Sequence, residues 1–243
     1  AAQARAQAAY ELREAAEPFW TKATTHRLTD ELADDRLPTD VFRRYLVEDY
    51  AFLDTLATLV AAAVMHAPTL GEKRVFASFL ASVTGEENTY FQRSFAALGV
   101  PESDWAAKTP ARTTEQLRRH METAAQSGRY EDILAVLVAT EWSYLAWAER
   151  VAERLDREGR ALPERFYYRE WIALHTVAAF RHFVEWLRGE FDRAAERLPA
   201  ARRKALGALF RRAMELEVAF FDAAYGTDLF HFKADTATRR RRG

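Results

Sequence analysis

The residues of this chain best suited to chemistry are three carboxylates placed where carboxylates are costly. Asp49 interrupts the stripe Phe42, Tyr45, Asp49, Phe52, Leu56, Leu59, Ala63, which has helical spacing. Glu217 interrupts a second stripe, Leu206, Phe210, Ala213, Glu217, Phe220, Ala224. Glu141 is the only charge in Ile133–Ala148, and Thr140, Trp142, Ser143 and Tyr144 surround it. His175 lies between Trp171 and Ala178–Ala179. An unpaired carboxylate in an apolar interior costs several kcal/mol. Two readings account for three of them. Either the acids converge on a polar pocket walled by rings, or the stripes face a subunit interface or arginine partners. In a pocket, a carboxylate accepts hydrogen bonds from an amine or a protonated ring nitrogen. Burial also raises its pKa, which suits a proton donor.

The composition limits the alternatives. The chain has 243 residues and no Cys, which excludes disulfides, thiolate metal sites and a Cys nucleophile. Its formal net charge of -1 speaks against a nucleic-acid or membrane-surface binder. The Arg239–Arg242 run is too short to reverse that expectation. The apolar run Ile133–Ala148 is shorter than the ~20 residues a membrane span needs. The opening stretch is alternately charged and does not read as a secretory signal. A soluble, cytoplasmic protein is expected.

The positioning elements are helices. Pro38, Pro68, Pro101, Pro110, Pro163 and Pro199 each precede a helical pattern, and Gly99, Gly128, Gly159 and Gly226 each follow one. No stretch alternates as a strand would. About seven helices are predicted, over residues 4–28, 39–66, 70–98, 112–126, 130–158, 163–190 and 200–225. Ile133–Ala148, apolar nearly all round, predicts a central buried helix. One all-α domain over residues 1–226 and a disordered basic tail over 227–243 are expected. His26, His66, His120 and His231 are expected at the surface, and His182 inside the bundle.

Four segments resemble one family. FRRYLVEDYAFLDTLATLVAAAVMHAP resembles the second helix of the thiaminase II (TenA-like) proteins. TGEENTYFQRSFAALGVP, YREWIALHTVAAFRHFVEWL and ELEVAFFDAAYG resemble their third and last two helices. The resemblance implies a haem-oxygenase-like bundle of about seven helices, assembled as a homo-oligomer (a dimer or tetramer). It also implies hydrolysis of an aminopyrimidine, salvaging the pyrimidine half of thiamin. By this resemblance Asp49 binds the aminopyrimidine edge and Glu217 is the general acid, while Phe220 and Tyr144 match further pocket positions. The family's nucleophilic Cys falls on Thr140, whose hydroxyl lacks a readily ionised sulfur. Ring-stacking Tyr positions fall on Leu117, His175 and Phe52. Relatives without the Cys use a Glu, and Glu141 is the neighbouring residue, a turn of roughly 100° away on a helix.

Three functions follow as expectations. The first is an aminopyrimidine hydrolase or amidohydrolase, with Asp49 orienting the substrate, Glu217 moving a proton, and Glu141 or Thr140 supplying the attack. The second is a non-catalytic protein that binds an aromatic or pyrimidine-like small molecule. The third, a metal-dependent oxidase, would draw on Glu86 or Glu87, Glu141 and His175. Tyr90, Phe91, Arg93 and Ala179 stand where its remaining ligands should be, so no metal or other cofactor is expected.

Overall fold

A computed structural model describes residues 7–106 and 109–226. Among them the architecture is all helical, as the patterning predicts. A central helix, α9 (Tyr130–Arg157), is buried almost continuously from Asp132 to Ser143. Around it pack α4 (Thr39–His66), α8 (Arg112–Gln126), α11 (Ala178–Ala195) and α12 (Ala200–Tyr225). Three short helices, α1 (Gln7–Ala15), α2 (Phe19–Thr24) and α3 (Arg27–Ala33), close one side against α12, α11 and α9. α5 (Leu70–Ser82) lies along α4, and α6 (Asn88–Leu98) touches α4 and α10 (Phe166–Leu174). Both acid-bearing stripes face inward: Phe42, Tyr45, Phe52, Leu59 and Ala63 are buried on α4, and Leu206 through Ala224 on α12. No described helix is long and apolar enough to cross a membrane.

Three of the seven expected helices are broken or irregular, each for a local reason. Pro18 stands between α1 and α2, where its ring and missing N–H end a continuous helix. At the start of α3, His26 caps with Nδ1, which accepts from the Leu28 amide. Nε2 of His26 meets Asp222 at 2.8 Å, so His26 is buried structure rather than the surface residue expected. The second irregularity is a π-helical turn, Val83–Glu87, through which α5 runs on into α6 without interruption, as the expected helix 70–98 requires. The third falls at Leu174–Ala178. There His175 Nδ1 donates to the Trp171 carbonyl (2.7 Å) and Thr176 Oγ1 to that of Ile172 (3.1 Å). Side chains thus satisfy carbonyls the next helical turn would have used, and Val177, in extended backbone, starts α11 afresh.

Other joints follow the sequence more closely. Gly99 ends α6 in the left-handed conformation (φ 65°), with the Val100 amide returning to Phe95 O. The stretch after it carries the short helix α7 (Glu102–Trp105), whose Trp105 stacks on Phe95 and meets Tyr50 edge-on. Glu48 of α4 accepts from the Ala111 amide and the Thr114 hydroxyl, placing a carboxylate at the N-terminus of α8. His120 is half-buried and bonded to Leu209 O, against the surface position expected, while His182 is exposed rather than enclosed. His231 and the expected tail 227–243 lie outside the described residues.

Candidate active site

Seven of the predicted site residues line one internal cavity of about 50 Å3: Asp49, Phe52, Thr140, Glu141, Tyr144, His175 and Glu217. They come from α4, α9, α12 and the break after α10. Each acid therefore reaches the cavity from a different wall, as the inward-facing stripes require. Leu53, Leu56, Glu87, Met121 and Trp171 complete the lining. Two predicted residues are not among the lining. Leu117 is fully buried in the core, and Met121, one turn further along α8, faces the cavity in its place. Phe220 stands behind the wall, edge-on to Phe52 with ring centres 4.9 Å apart and tilted against Tyr45 at 5.5 Å.

Four carboxyl groups share this space, and no Lys or Arg lines it. Glu141 and Glu217 are buried, at 7% and 4% exposure, and Glu217 Oε2 has no hydrogen-bond partner. Burial, then repulsion from Glu141, pushes Glu217 up to about 8. Burial also lifts Glu141 to about 7, opposed by its hydrogen bond with Thr140. Asp49 is raised well above the usual carboxylate range by burial and by Glu217, and its hydrogen bond from Tyr144 works against this. Glu87 is raised in the same direction by burial, Glu141 and Asp49. A cluster of this kind favours protons, or a ligand that brings positive charge.

The Asp49 carboxylate is held by a directed chain. Trp171 Nε1–H, a donor only, gives to Tyr45 OH at 3.1 Å. Tyr144 OH gives to Asp49 Oδ1 at 3.4 Å, so across the 3.0 Å contact between the two tyrosines Tyr45 is the donor. Both phenols are held above their ordinary pKa by burial and by the Asp49 charge, and so remain donors.

His175 stands differently from a typical histidine base. Burial pushes it down to about 4, so its ring is neutral near pH 7. Because Nδ1 donates to the Trp171 carbonyl, Nε2 carries the free lone pair.

Thr140 and Glu141 both reach the cavity although they are adjacent on α9. Thr140 Oγ1 lies 3.2 Å from the carbonyls of Val136 and Leu137, and 3.1 Å from Glu141 Oε1. The longer Glu141 side chain overcomes the angular offset. The hydroxyl has one proton and three acceptors around it, and Glu141 is the single ionisable group among them.

Glu87 enters the sequence reading only with Glu86, as a ligand in the metal-oxidase alternative, and not as an acid of the aminopyrimidine pocket. The stretch Thr84-Gly85-Glu86-Glu87 is polar throughout, so no stripe marks it. The π turn adds a residue to the helical repeat and rotates Glu87 toward the cavity while Glu86 stays exposed. Glu87, Glu141 and His175 share a neighbourhood, yet among the described residues no group of three or more His, Asp or Glu is arranged to hold a metal ion.

Fold and site together define an all-α bundle with an acid-lined, ring-walled pocket. A family model described as the TENA/THI-4/PQQC family matches residues 13–227, and the chain belongs to that family. It is 26% identical to an aminopyrimidine aminohydrolase of Halalkalibacterium halodurans over 221 residues, 91% of this chain and 96% of the relative. An enzyme of the same name from Bacillus subtilis is 27% identical, covering 88% of each chain. Among solved structures, a TenA homologue from P. horikoshii superposes with a TM-score of 0.77 at 21% identity, over 90% of this chain and 98% of that one. A Shewanella denitrificans domain with a heme oxygenase-like fold superposes at 0.65, with 14% identity, over 89% and 91%. These likenesses bear out the all-α, haem-oxygenase-like fold.

Proposed function

We propose that the protein hydrolyses a C–N bond in an aminopyrimidine or N-acylaminopyrimidine, the chemistry of thiamin-pyrimidine salvage. The observation that carries this reading is the meeting of Asp49, Glu87, Glu141 and Glu217 in one cavity without a cation. An amine or protonated pyrimidine supplies the missing charge and the hydrogen-bond donors that these acids need. The aminopyrimidine aminohydrolases at 26% and 27% identity support the same substrate class.

In this reading Asp49, oriented by Tyr144, binds the amine edge of the ring. Glu141 removes a proton from water, and the water oxygen bonds to the carbon that carries the departing nitrogen. Glu217, protonated near pH 7, gives its proton to that nitrogen as the C–N bond breaks. The products are an alcohol and ammonia from the amine, or a carboxylic acid and the free amine from the N-acyl compound. Glu87 adds negative charge beside the bound cation, and Phe52 and Trp171 supply flat apolar walls. Thr140 serves as a hydrogen-bonded neighbour of Glu141 rather than as the attacking group. The setting is cytoplasmic and the working form a homo-oligomer.

Purified protein incubated with the aminopyrimidine and with its N-formyl derivative should release ammonia or formate. No turnover of either by folded protein removes the hydrolase. The occupied state of the Thr140 hydroxyl favours the second reading, a binding protein without catalysis. Native mass spectrometry separates the two, because a co-purifying, unaltered pyrimidine fits only the binding protein.

A further inference from the structure

Beside the acid cavity lies a groove of about 840 Å3, and Glu87, Glu141 and His175 are walls of both. The π turn and the break at His175 help shape it: Glu86 comes from the one, Leu174 and Val177 from the other. Rings form much of its lining, with Arg74, Glu86 and His182 among them. Phe79 and Phe183 stack with centres 4.0 Å apart, and Phe183 and Trp186 lie near-parallel at 6.3 Å. Phe180 meets His175 edge-on at 5.3 Å, carrying the ring wall down to the acids.

The two spaces differ greatly in size. The inner cavity, at about 50 Å3, is the smaller by more than tenfold and offers little room beyond the aminopyrimidine itself. The groove falls within the ~300–1,000 Å3 range of small-molecule pockets. For a substituent on an amine held by Asp49 and Glu217, the adjoining free space lies past Glu141 and His175, in the groove.

We propose that this groove is a second subsite, binding a planar aromatic substituent on the substrate's amine nitrogen, so that the preferred substrate is an N-arylmethyl or N-aroyl aminopyrimidine rather than the bare amine. The proposal rests on the reading of the inner cavity as the aminopyrimidine site. A second copy of the chain is the poorer occupant, because the floor is two carboxyl groups and an imidazole, whereas protein interfaces are depleted of charge at their centres.

The test is calorimetric binding of two ligands to the intact protein: the aminopyrimidine, and the same molecule carrying an N-benzyl group. The N-benzyl ligand should bind about tenfold more tightly or better, given ring contacts of the kind Phe79, Phe180 and Phe183 offer. F183A, and independently W186A, should remove most of that gain and leave the Kd of the bare amine within about twofold, with helical circular dichroism unchanged. Equal affinity for the two ligands in the unmodified protein overturns the subsite, as does an equal loss for both ligands in the two variants. A fall in native mass caused by F183A assigns the groove to a second copy and also overturns it. If the N-benzyl ligand binds and the bare amine does not, the subsite stands and the aminopyrimidine reading falls.

Discussion

At the scale of single residues, neighbouring acids take separate tasks in the proposed hydrolysis. Glu217 is buried, unpartnered at Oε2 and raised to about 8 by burial and Glu141, so it holds a proton when the reaction needs one. E217Q should lower kcat by about 100-fold or more, as loss of a general acid does. Thr140 differs, because its hydroxyl already contacts two helix carbonyls. T140A should retain activity within about tenfold of the unmodified protein, while E141Q falls with E217Q. Comparing the three variants in steady-state kinetics distinguishes an attacking threonine from an attacking water. Y45F removes the donor that fixes Tyr144 on Asp49. It should weaken aminopyrimidine binding by about fivefold, the equivalent of about 1 kcal/mol for one buried hydrogen bond, as read by calorimetry.

At the scale of elements, the helix irregularities do the positioning. The π turn Val83–Glu87 turns one of two adjacent glutamates inward, and the break at His175 fixes the imidazole through its own helix carbonyl. Deleting Gly85 should convert the π turn to regular helix. The rotation, roughly 100° for one residue, takes Glu87 away from the cavity. Ligand affinity should then fall at least about tenfold while the far-ultraviolet circular dichroism is kept. These same elements mark where sequence reasoning stops. Asp49, Glu141 and Glu217 were legible because each breaks an apolar stripe, and a stripe has a period that can be checked. Glu87 was not, because it sits in a polar run whose period is changed by one extra residue. Leu117 was assigned to the pocket by likeness of position, but Met121 occupies that wall. His26 and His120 could not be placed from the chain, since their partners, Asp222 and Leu209, are distant in sequence.

At the scale of the whole molecule, the shared acid cavity ties stability to pH. A carboxyl group whose pKa is raised by folding costs nothing while it is neutral in both states, below about 4.5. As pH rises from there through about 7 and about 8, the unfolded chain ionises readily and the folded one resists, so stability falls. The melting temperature of the ligand-free protein should therefore drop across this window. E217Q should flatten the drop, gaining at least about 3 °C relative to the unmodified protein at pH 8 and little at pH 5. A bound amine cation should oppose the same drop, since it stabilises the ionised acids. Exposed Met65 and Leu70 leave apolar surface uncovered on the single chain. Light scattering is expected to give the mass of a dimer or tetramer.

The most direct test of four converging acids acting on an amine is the pH dependence of ammonia release from the aminopyrimidine between pH 5 and 9. The expected kcat/KM profile rises through about 7 as Glu141 becomes a base and declines through about 8 as Glu217 loses its proton. E217Q should lose the alkaline decline together with most of the rate. A flat profile, or an alkaline limb that persists unchanged in E217Q, would contradict the assignment of base and acid to this cavity.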